Sequence, residues 1–237
     1  ASLNPLPRKT KVENDERTAT ESLIVLGTAS ALYDDVDGWP KLRTAFLEGQ
    51  RGYGDTFLDL ADQYSGRSSD GSYMSNELDS GAIIDCLDWP DTRSVEKTKA
   101  DAKRFTDAAP VFGPYLAYTN ISCKYLTLPT KDKLSRSTNK ITSIKTAPVI
   151  VIGTTRDPAT PYEWSVGLHQ IFKNSKLISL DADGHTGQGR GSACVDDAVD
   201  LYLIQGISLS IRILDLNLWK NFVTTYVGFK SPGKKYH

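Results

Sequence analysis

The first half of the chain carries apolar residues at the spacing of helices. Leu42, Ala45 and Phe46 stand at positions i, i+3 and i+4, and the same period continues in the segment that begins at Asp55. Clusters of Gly, Asp and Ser separate these segments and mark turns. Each apolar stripe needs a core to pack against. The pattern therefore predicts a helical region with helices at residues 18–33, 39–50, 55–64, 76–87 and 94–106.

The pattern changes after residue 130. Residues 131–145 are polar and predict a solvated connection. Residues 147–153 (APVIVIG) are a short β-branched run without alternation, which is typical of a strand buried on both faces. Thr160, Pro161 and Glu163 form a capping box that opens a predicted helix. With that helix at 161–173, a strand at 175–180 and a helix at 193–204, the order predicts an α/β fold with a right-handed parallel βαβα unit.

Composition narrows the classes of function. The 237 residues are 39% hydrophobic and 24% charged, which is enough to bury a core. A formal net charge of -1 provides no basic surplus for nucleic acid. No apolar run approaches the roughly 20 residues of a membrane-spanning helix, and the first residues lack the pattern of a signal peptide. The 3 cysteines and 3 histidines show neither C-x-x-C nor H-x-x-x-H spacing, so we expect no metal and no cofactor.

Two loops contain the candidate chemistry, because functional groups of parallel sheets lie beyond the carboxyl ends of the strands. Asp157 follows the first predicted strand, and His185 lies in the loop after the second. Since both loops meet at one edge of the sheet, we expect this carboxylate and imidazole to be neighbours. A carboxylate bound to one ring nitrogen fixes the imidazole tautomer and stabilises the imidazolium that forms when the other nitrogen takes a proton. The pair therefore suits activation of a nucleophile.

The residues alone leave alternatives open for this pair. Asp157 is also consistent with a turn or capping aspartate, and His185 with a loop histidine bonded to backbone. Asp181 and Asp183 lie close enough in sequence to compete as the partner of His185. His169 competes poorly with His185 because it falls inside a predicted helix.

Two segments carry a resemblance to a known family. The sequences PVIVIGTTRDPATPYEW (148–164) and DADGHTGQGRGSACVDDAVDLYL (181–203) resemble the carboxy-terminal signature of the α/β-hydrolase fold. They are most similar to secreted tripeptidyl-aminopeptidase-like serine peptidases, which are related to prolyl aminopeptidases. LNPLP at 3–7, LADQYSGR at 60–67 and the stretch 82–88 resemble the helical cap of that family. The resemblance covers roughly residues 1–206.

The resemblance implies roles and an organisation. The Asp of R-D-P and the His of G-H-T-G carry over to Asp157 and His185 as the triad acid and base. Cys86 and Cys123 sit where a cap disulfide is expected, with two buried free thiols as the alternative. The enzyme would be secreted or in the cell envelope, would act on a peptide with a free amino terminus and would need no cofactor. The implied domains are a helical cap at 1–130, a connection at 131–145, a core segment at 146–206 and an unassigned tail at 207–237.

The chain also departs from the family. It contains no G-x-S-x-G nucleophile elbow. Ser30 falls within an apolar helical stretch, and Ser192 fits the N-cap of the following helix. Cys194 has no predicted partner. We therefore expect the chain to supply the cap, the acid and the base of a serine exopeptidase, with the serine on a preceding segment as its partner.

Two other functions stay open from the sequence alone. The missing elbow and the unfamiliar tail favour a non-catalytic remnant or binding module. An esterase or another α/β-hydrolase would use the same Asp157 and His185, because fold analogy alone does not separate these chemistries.

Overall fold

The structure is a computed structural model that describes residues 17–88, 93–126 and 147–206, with the backbone of residues 8–9. By their contacts the described residues form two compact units. The first holds the residues up to 126 together with Thr154–Tyr162 and Asp181–His185, and the second holds the rest of 147–206. The segment LNPLP, the predicted connection at 131–145 and the tail at 207–237 lie outside the described residues.

Three helices form the core of the first unit, as the apolar stripes predict. They are α1 (Glu21–Leu32), α2 (Gly38–Gln50) and α3 (Asp55–Ser65). Phe57 and Leu60 on α3 are at most 1% exposed. Gly27 on α1 lies so close to α3 that a Cβ there would come within 2.6 Å of the Phe57 carbonyl oxygen. The two helices therefore approach each other at backbone distance, and the α3 stripe is buried against α1.

The first helix is shorter than the predicted 18–33. Thr20 has extended backbone and its hydroxyl accepts a hydrogen bond from the N–H of Leu23, so Thr20 is the N-cap and α1 begins at Glu21. Thr18–Ala19 (β2) instead pair antiparallel with Arg8–Lys9 (β1). The predicted start of the helix at residue 18 was wrong, because the N-cap and the two-residue strand before it do not interrupt the apolar period from which the helix was predicted.

A disulfide fastens the later helices of the first unit. Helices α4 (Glu77–Asp88) and α5 (Val95–Ala108) match their predictions to within two residues. The short helix α6 (Gly113–Leu116) and a 3-10 turn at Ile121–Tyr125 follow, and both are too short to show an apolar period. Cys86 is bonded to Cys123, with their Cα atoms 5.1 Å apart. The disulfide implied by the resemblance is therefore present, and the alternative of two free thiols is wrong.

The α/β segment has the predicted order of elements. Strand β3 (Val149–Arg156), helix α7 (Tyr162–Ile171), strand β4 (Ser175–Asp183) and helix α8 (Ala193–Gln205) follow one another, and β3 pairs in parallel with β4. In the second unit, Ile178 of β4 packs with Val195, Ala198 and Val199 of α8. Ile150 and Ile152 of β3 are partly buried against this cluster, so α8 covers the apolar side chains of one face of the sheet.

Both strands extend three residues beyond their apolar segments. The predicted strands stop at residues 153 and 180, whereas β3 continues to Arg156 and β4 to Asp183. Arg156 Nε donates to Asp183 Oδ1 at 2.7 Å, and Arg156 Nη1 donates to Asp181 Oδ1 at 2.6 Å. Because these polar side chains pair across the strands, the ladder continues where the hydrophobic pattern has ended. No helix in the described ranges is long and apolar enough to cross a bilayer.

Candidate active site

Asp157 is the first residue after β3, and its carboxylate is buried. The side chain is 2% exposed. Oδ1 accepts hydrogen bonds from the backbone N–H groups of Ala159 and Thr160, both at 2.8 Å. Oδ2 accepts from the Thr160 hydroxyl at 2.9 Å. The carboxylate is thus held by the turn that follows it, as an Asx-turn geometry requires.

His185 lies against this carboxylate. Its Nδ1 is 3.0 Å from Oδ1 and 3.0 Å from Oδ2 of Asp157. Since a carboxylate only accepts, Nδ1 carries the proton and Nε2 is left as the basic nitrogen of the neutral ring. Within the described part of the chain Nε2 has no hydrogen-bond partner, and the His185 side chain is 27% exposed. The predicted proximity of Asp157 and His185 is confirmed, and the pair presents a basic nitrogen to the surroundings.

The backbone around His185 adopts left-handed conformations on both sides. Gly184 has φ 93° and Thr186 has φ 69°. A β-branched residue in this region costs on the order of 1–3 kcal/mol. The glycine before the histidine meets this requirement without strain. The left-handed backbone thus agrees with the preference of Gly184 and opposes that of Thr186.

The rival aspartates are engaged elsewhere. Asp181 and Asp183 are both ion-paired with Arg156. The hydrogen bond from Arg156, followed by one from Thr155, holds the pKa of Asp181 below its usual value. The same two carboxylates, Asp183 first, raise the pKa of the Arg156 guanidinium. The choice that the sequence left open is thus resolved, because Asp157 is the carboxylate that contacts His185.

The other residues considered from the sequence have structural surroundings. His169 lies within α7, and its Nδ1 is 2.7 Å from the Ser175 hydroxyl, which also donates to the Phe172 carbonyl. Ser30 is inside α1, so it is no elbow. Ser192 is the N-cap residue of α8, although its side chain makes no capping hydrogen bond. Cys194 is a free, exposed cysteine.

Two further residues belong to the site. Thr160 was predicted to cap α7, but its hydroxyl donates to Asp157 and lies 3.5 Å from Nδ1 of His185. Helix α7 begins at Tyr162, so Pro161 separates Thr160 from the first helical residue. Tyr33, at the end of α1, accepts the backbone N–H of His185 on its carbonyl oxygen at 2.9 Å. Thr160 lies three residues after Asp157, and this spacing is a local signal for the hydrogen bond between them. No residue near Tyr33 in the sequence indicates its contact with His185.

The arrangement has the geometry that the acid and base of a catalytic triad require. The buried carboxylate orients the imidazole, and the imidazole has a nitrogen available to remove a proton. Among the described residues no serine or cysteine side chain hydrogen-bonds to His185. No group of three His, Cys, Asp or Glu side chains in the described ranges could hold a metal ion.

Comparison with known proteins provides an independent line of information. Residues 109–208, which include both Asp157 and His185, match the family model described as TAP-like protein. Serine protease Hip1 of Mycobacterium tuberculosis is 32% identical over 204 residues, covering 84% of this chain and 37% of that protein. Carboxylesterase B of Mycobacterium tuberculosis is 33% identical over 208 residues, covering 87% of this chain and 39% of that protein.

A third relative is matched over a shorter segment. Tripeptidyl aminopeptidase of Streptomyces lividans is 37% identical over 91 residues, covering 38% of this chain and 16% of that protein. The chain therefore spans less than two fifths of the length of each of these relatives.

Proposed function

The chain belongs to the TAP-like family of α/β-hydrolases, and on that premise we propose that it supplies the acid, the base and the substrate-binding cap of a serine exopeptidase. The observation that carries the proposal is the bond between Nδ1 of His185 and the buried Asp157 carboxylate, 3.0 Å to each oxygen. The substrate is a peptide with a free amino terminus, from which the enzyme releases a residue or short peptide. The relatives include peptidases by name, which is consistent with this class of reaction.

The nucleophile of the proposed reaction is a serine on a segment that precedes the cap in chain order, because no G-x-S-x-G occurs in the 237 residues. Nε2 of His185 takes the proton from the serine hydroxyl as the serine oxygen attacks the scissile carbonyl carbon. The resulting imidazolium gives that proton to the leaving amine as the C–N bond breaks, which leaves an acyl-enzyme.

Water completes the cycle with the same two residues. His185 takes a proton from water as the water oxygen attacks the acyl carbon, and it returns the proton to the serine oxygen as the ester bond breaks. Asp157 remains ionised throughout, since its role is to hold the ring and to stabilise the imidazolium. Thr160 supports that role because its hydroxyl donates to Oδ2, one of the two carboxylate oxygens that lie 3.0 Å from Nδ1.

The disulfide supports an exported location, either outside the cell or in its envelope. Cys86–Cys123 joins α4 to the turn after α6, and stable disulfides of this kind persist in oxidising compartments. We propose that the described residues bind two partners, the substrate peptide and the segment that carries the nucleophile.

A second candidate is ester hydrolysis. One relative with 33% identity is a carboxylesterase by name, and acyl transfer to water uses the same acid and base whether the leaving group is an amine or an alcohol. The Asp157–His185 pair does not distinguish a peptidase from an esterase. The two activities differ in the leaving group and in whether a free amino terminus is recognised.

A serine-directed phosphonate probe tests the proposal. The 237-residue chain alone should not be labelled, and the protein that also carries the nucleophile-bearing segment should be. In that protein His185→Ala should abolish labelling, while His169→Ala, a histidine in contact with Ser175 rather than Asp157, should retain it once correct folding is verified by circular dichroism. Covalent labelling of the isolated chain would refute the claim that the nucleophile lies elsewhere.

Substrate pairs then separate the two hydrolases. A tripeptide anilide with a free amino terminus should be cleaved, and its N-acetylated counterpart should not. Cleavage of a nitrophenyl ester with no cleavage of either anilide would favour the esterase. Failure of every substrate and of the probe, with the nucleophile-bearing segment present, would favour the non-catalytic alternative.

A further inference from the structure

Tyr33 makes two different contacts with His185. Its backbone carbonyl oxygen accepts the His185 N–H at 2.9 Å. Its ring lies against the imidazole, with 4.7 Å between ring centroids and an angle of 52° between ring planes. Tyr33 is the residue that ends α1, so one helix terminus holds both the backbone and the ring of the proposed base.

Tyr33 is itself held by the cap. Its ring packs edge-to-face on Tyr64 of α3, with centroids 5.9 Å apart and an angle of 82°. Burial and a hydrogen bond with Tyr64 raise the pKa of Tyr33 to about 12, so its hydroxyl stays protonated in the range where histidine titrates. Helices α1 and α3 meet at backbone distance at Gly27. The contact of Tyr33 with His185 is therefore anchored in the closely packed pair of helices α1 and α3.

The pair with Asp157 alone does not fix the imidazole. A hydrogen bond at Nδ1 sets the direction of that nitrogen, but the ring can still tilt about the Nδ1–carboxylate direction and move Nε2 away from a nucleophile. A misplacement of about 1 Å in an active site lowers the rate by up to roughly 100-fold. An aromatic ring packed against the imidazole limits this tilt, and the electron-rich face of such a ring also favours the imidazolium that forms during catalysis.

We propose that Tyr33 is a positioning residue for His185: its carbonyl holds the loop backbone and its ring sets the tilt of the imidazole. The inference rests on the proposed function for its catalytic consequence, but the contact itself is independent of which acyl group is transferred. It assigns to the cap a part in aligning the base, in addition to binding substrate. Tyr64 acts one step further away, by supporting the Tyr33 ring.

Paired substitutions test this role. Tyr33→Leu keeps the backbone carbonyl and removes the ring, whereas Tyr33→Phe keeps the ring and removes the hydroxyl. In the protein with the nucleophile-bearing segment, Tyr33→Leu should lower kcat about 10- to 100-fold with little change in KM, and Tyr33→Phe should restore kcat to within about 3-fold of the parent. Tyr118→Leu, at a tyrosine 37% exposed on the surface, is the matched control and should match the parent.

Nuclear magnetic resonance of the 237-residue chain tests the contact without any catalysis. Tyr33→Leu should shift the imidazole proton resonances of His185, because the ring current of Tyr33 is removed, while Tyr33→Phe should leave them close to the parent. Unchanged resonances in Tyr33→Leu, or an equal loss of kcat in Tyr33→Phe and Tyr33→Leu, would overturn the proposal. A resonance shift without any hydrolysis by the parent protein would instead count against the proposed function.

Tyr64→Leu provides a second route if Tyr33→Leu does not fold. Tyr64 is 41% exposed, so its truncation perturbs the core less. We expect a smaller shift of the His185 resonances in the same direction and a smaller loss of kcat. His185 resonances that are identical in Tyr64→Leu and the parent would contradict the support that Tyr64 is proposed to give.

Discussion

Asp157→Asn separates the proposed catalytic role of the carboxylate from its role in folding. The amide oxygen can replace Oδ1 and accept the N–H groups of Ala159 and Thr160, which lie at 2.8 Å. The amide NH₂ then occupies the place of Oδ2, where it meets the Thr160 hydroxyl and Nδ1 of His185, at 2.9 and 3.0 Å in the parent. Nδ1 also lies 3.0 Å from Oδ1, but that oxygen already accepts two backbone N–H groups, whereas the NH₂ donates and does not accept. The tautomer in which Nδ1 accepts from the NH₂ is therefore favoured. The proton moves to Nε2, which can no longer act as a base.

The expected magnitudes of the two effects differ. In a serine protease triad, the same Asp→Asn exchange reverses the tautomer and lowers kcat about 10⁴-fold. At about 1.36 kcal/mol per decade, this loss is about 5 kcal/mol of transition-state stabilisation. Folding loses less, since two charge-assisted hydrogen bonds become neutral at about 1 kcal/mol each, and removal of a buried charge offsets part of that sum. The free energy of unfolding should fall by about 2 kcal/mol at most, which lowers Tm by no more than about 8 °C.

Two measurements decide the outcome. The rate of phosphonate labelling is measured in the protein with the nucleophile-bearing segment, and thermal unfolding is measured in the same samples. Asp183→Asn is the matched control, because this aspartate pairs with Arg156 at the exposed strand ends and should retain the parent labelling rate. A labelling rate in Asp157→Asn within about 10-fold of the parent would refute the tautomer argument. An equal loss in Asp183→Asn would show that the carboxylate facing His185 has no special role.

Three further predictions concern the first unit. Gly27→Ala should lower the free energy of unfolding by about 1–3 kcal/mol, because its Cβ would lie 2.6 Å from a carbonyl oxygen. Gly81→Ala on α4 has open space around the new Cβ and should raise that free energy by up to about 1 kcal/mol. Thermal unfolding measures both changes. The pKa of Tyr33 is raised from 10.0 to about 12. The stability that this shift contributes is therefore complete below pH 10 and is lost as the pH rises towards 12. Tyr33→Phe should reduce this alkaline loss of stability in an unfolding series measured at increasing pH. Reduction of Cys86–Cys123, which are separated by 37 residues, should cost about 4 kcal/mol, measured by denaturant unfolding with and without reductant.

Each of these predictions has an outcome that contradicts it. Equal melting temperatures for Gly27→Ala and Gly81→Ala would refute the close approach of α1 and α3. An alkaline decline that is the same in Tyr33→Phe and the parent would show that Tyr33 does not hold its proton more tightly in the folded chain. Unfolding that is insensitive to reductant would mean that the disulfide restrains neither state.

Local sequence patterns locate every helix of ten or more residues, and both long strands, in the described part of the chain. Helical and strand periods are properties of neighbouring residues, so they are visible without the fold. The ends were less accurate. With Thr20 as its N-cap, α1 begins later than the apolar period indicates. Strand β3 continues to Arg156, three residues past the end of its apolar run. In both places a polar side chain outside the periodic pattern sets the boundary.

The sequence also predicted that Asp157 and His185 would be neighbours, because the carboxyl ends of adjacent parallel strands share one edge of a sheet. Position along the chain did not distinguish Asp157 from Asp181 and Asp183, since all three lie near the strand ends, and within the sequence only the family resemblance selected Asp157. The tertiary structure made that choice by directing Arg156 towards the other two carboxylates. It alone brought Tyr33 to His185, by packing the end of α1 against the loop that follows β4. Periodicity and topology follow from local residue preferences, whereas contacts between side chains far apart in sequence depend on how the elements pack.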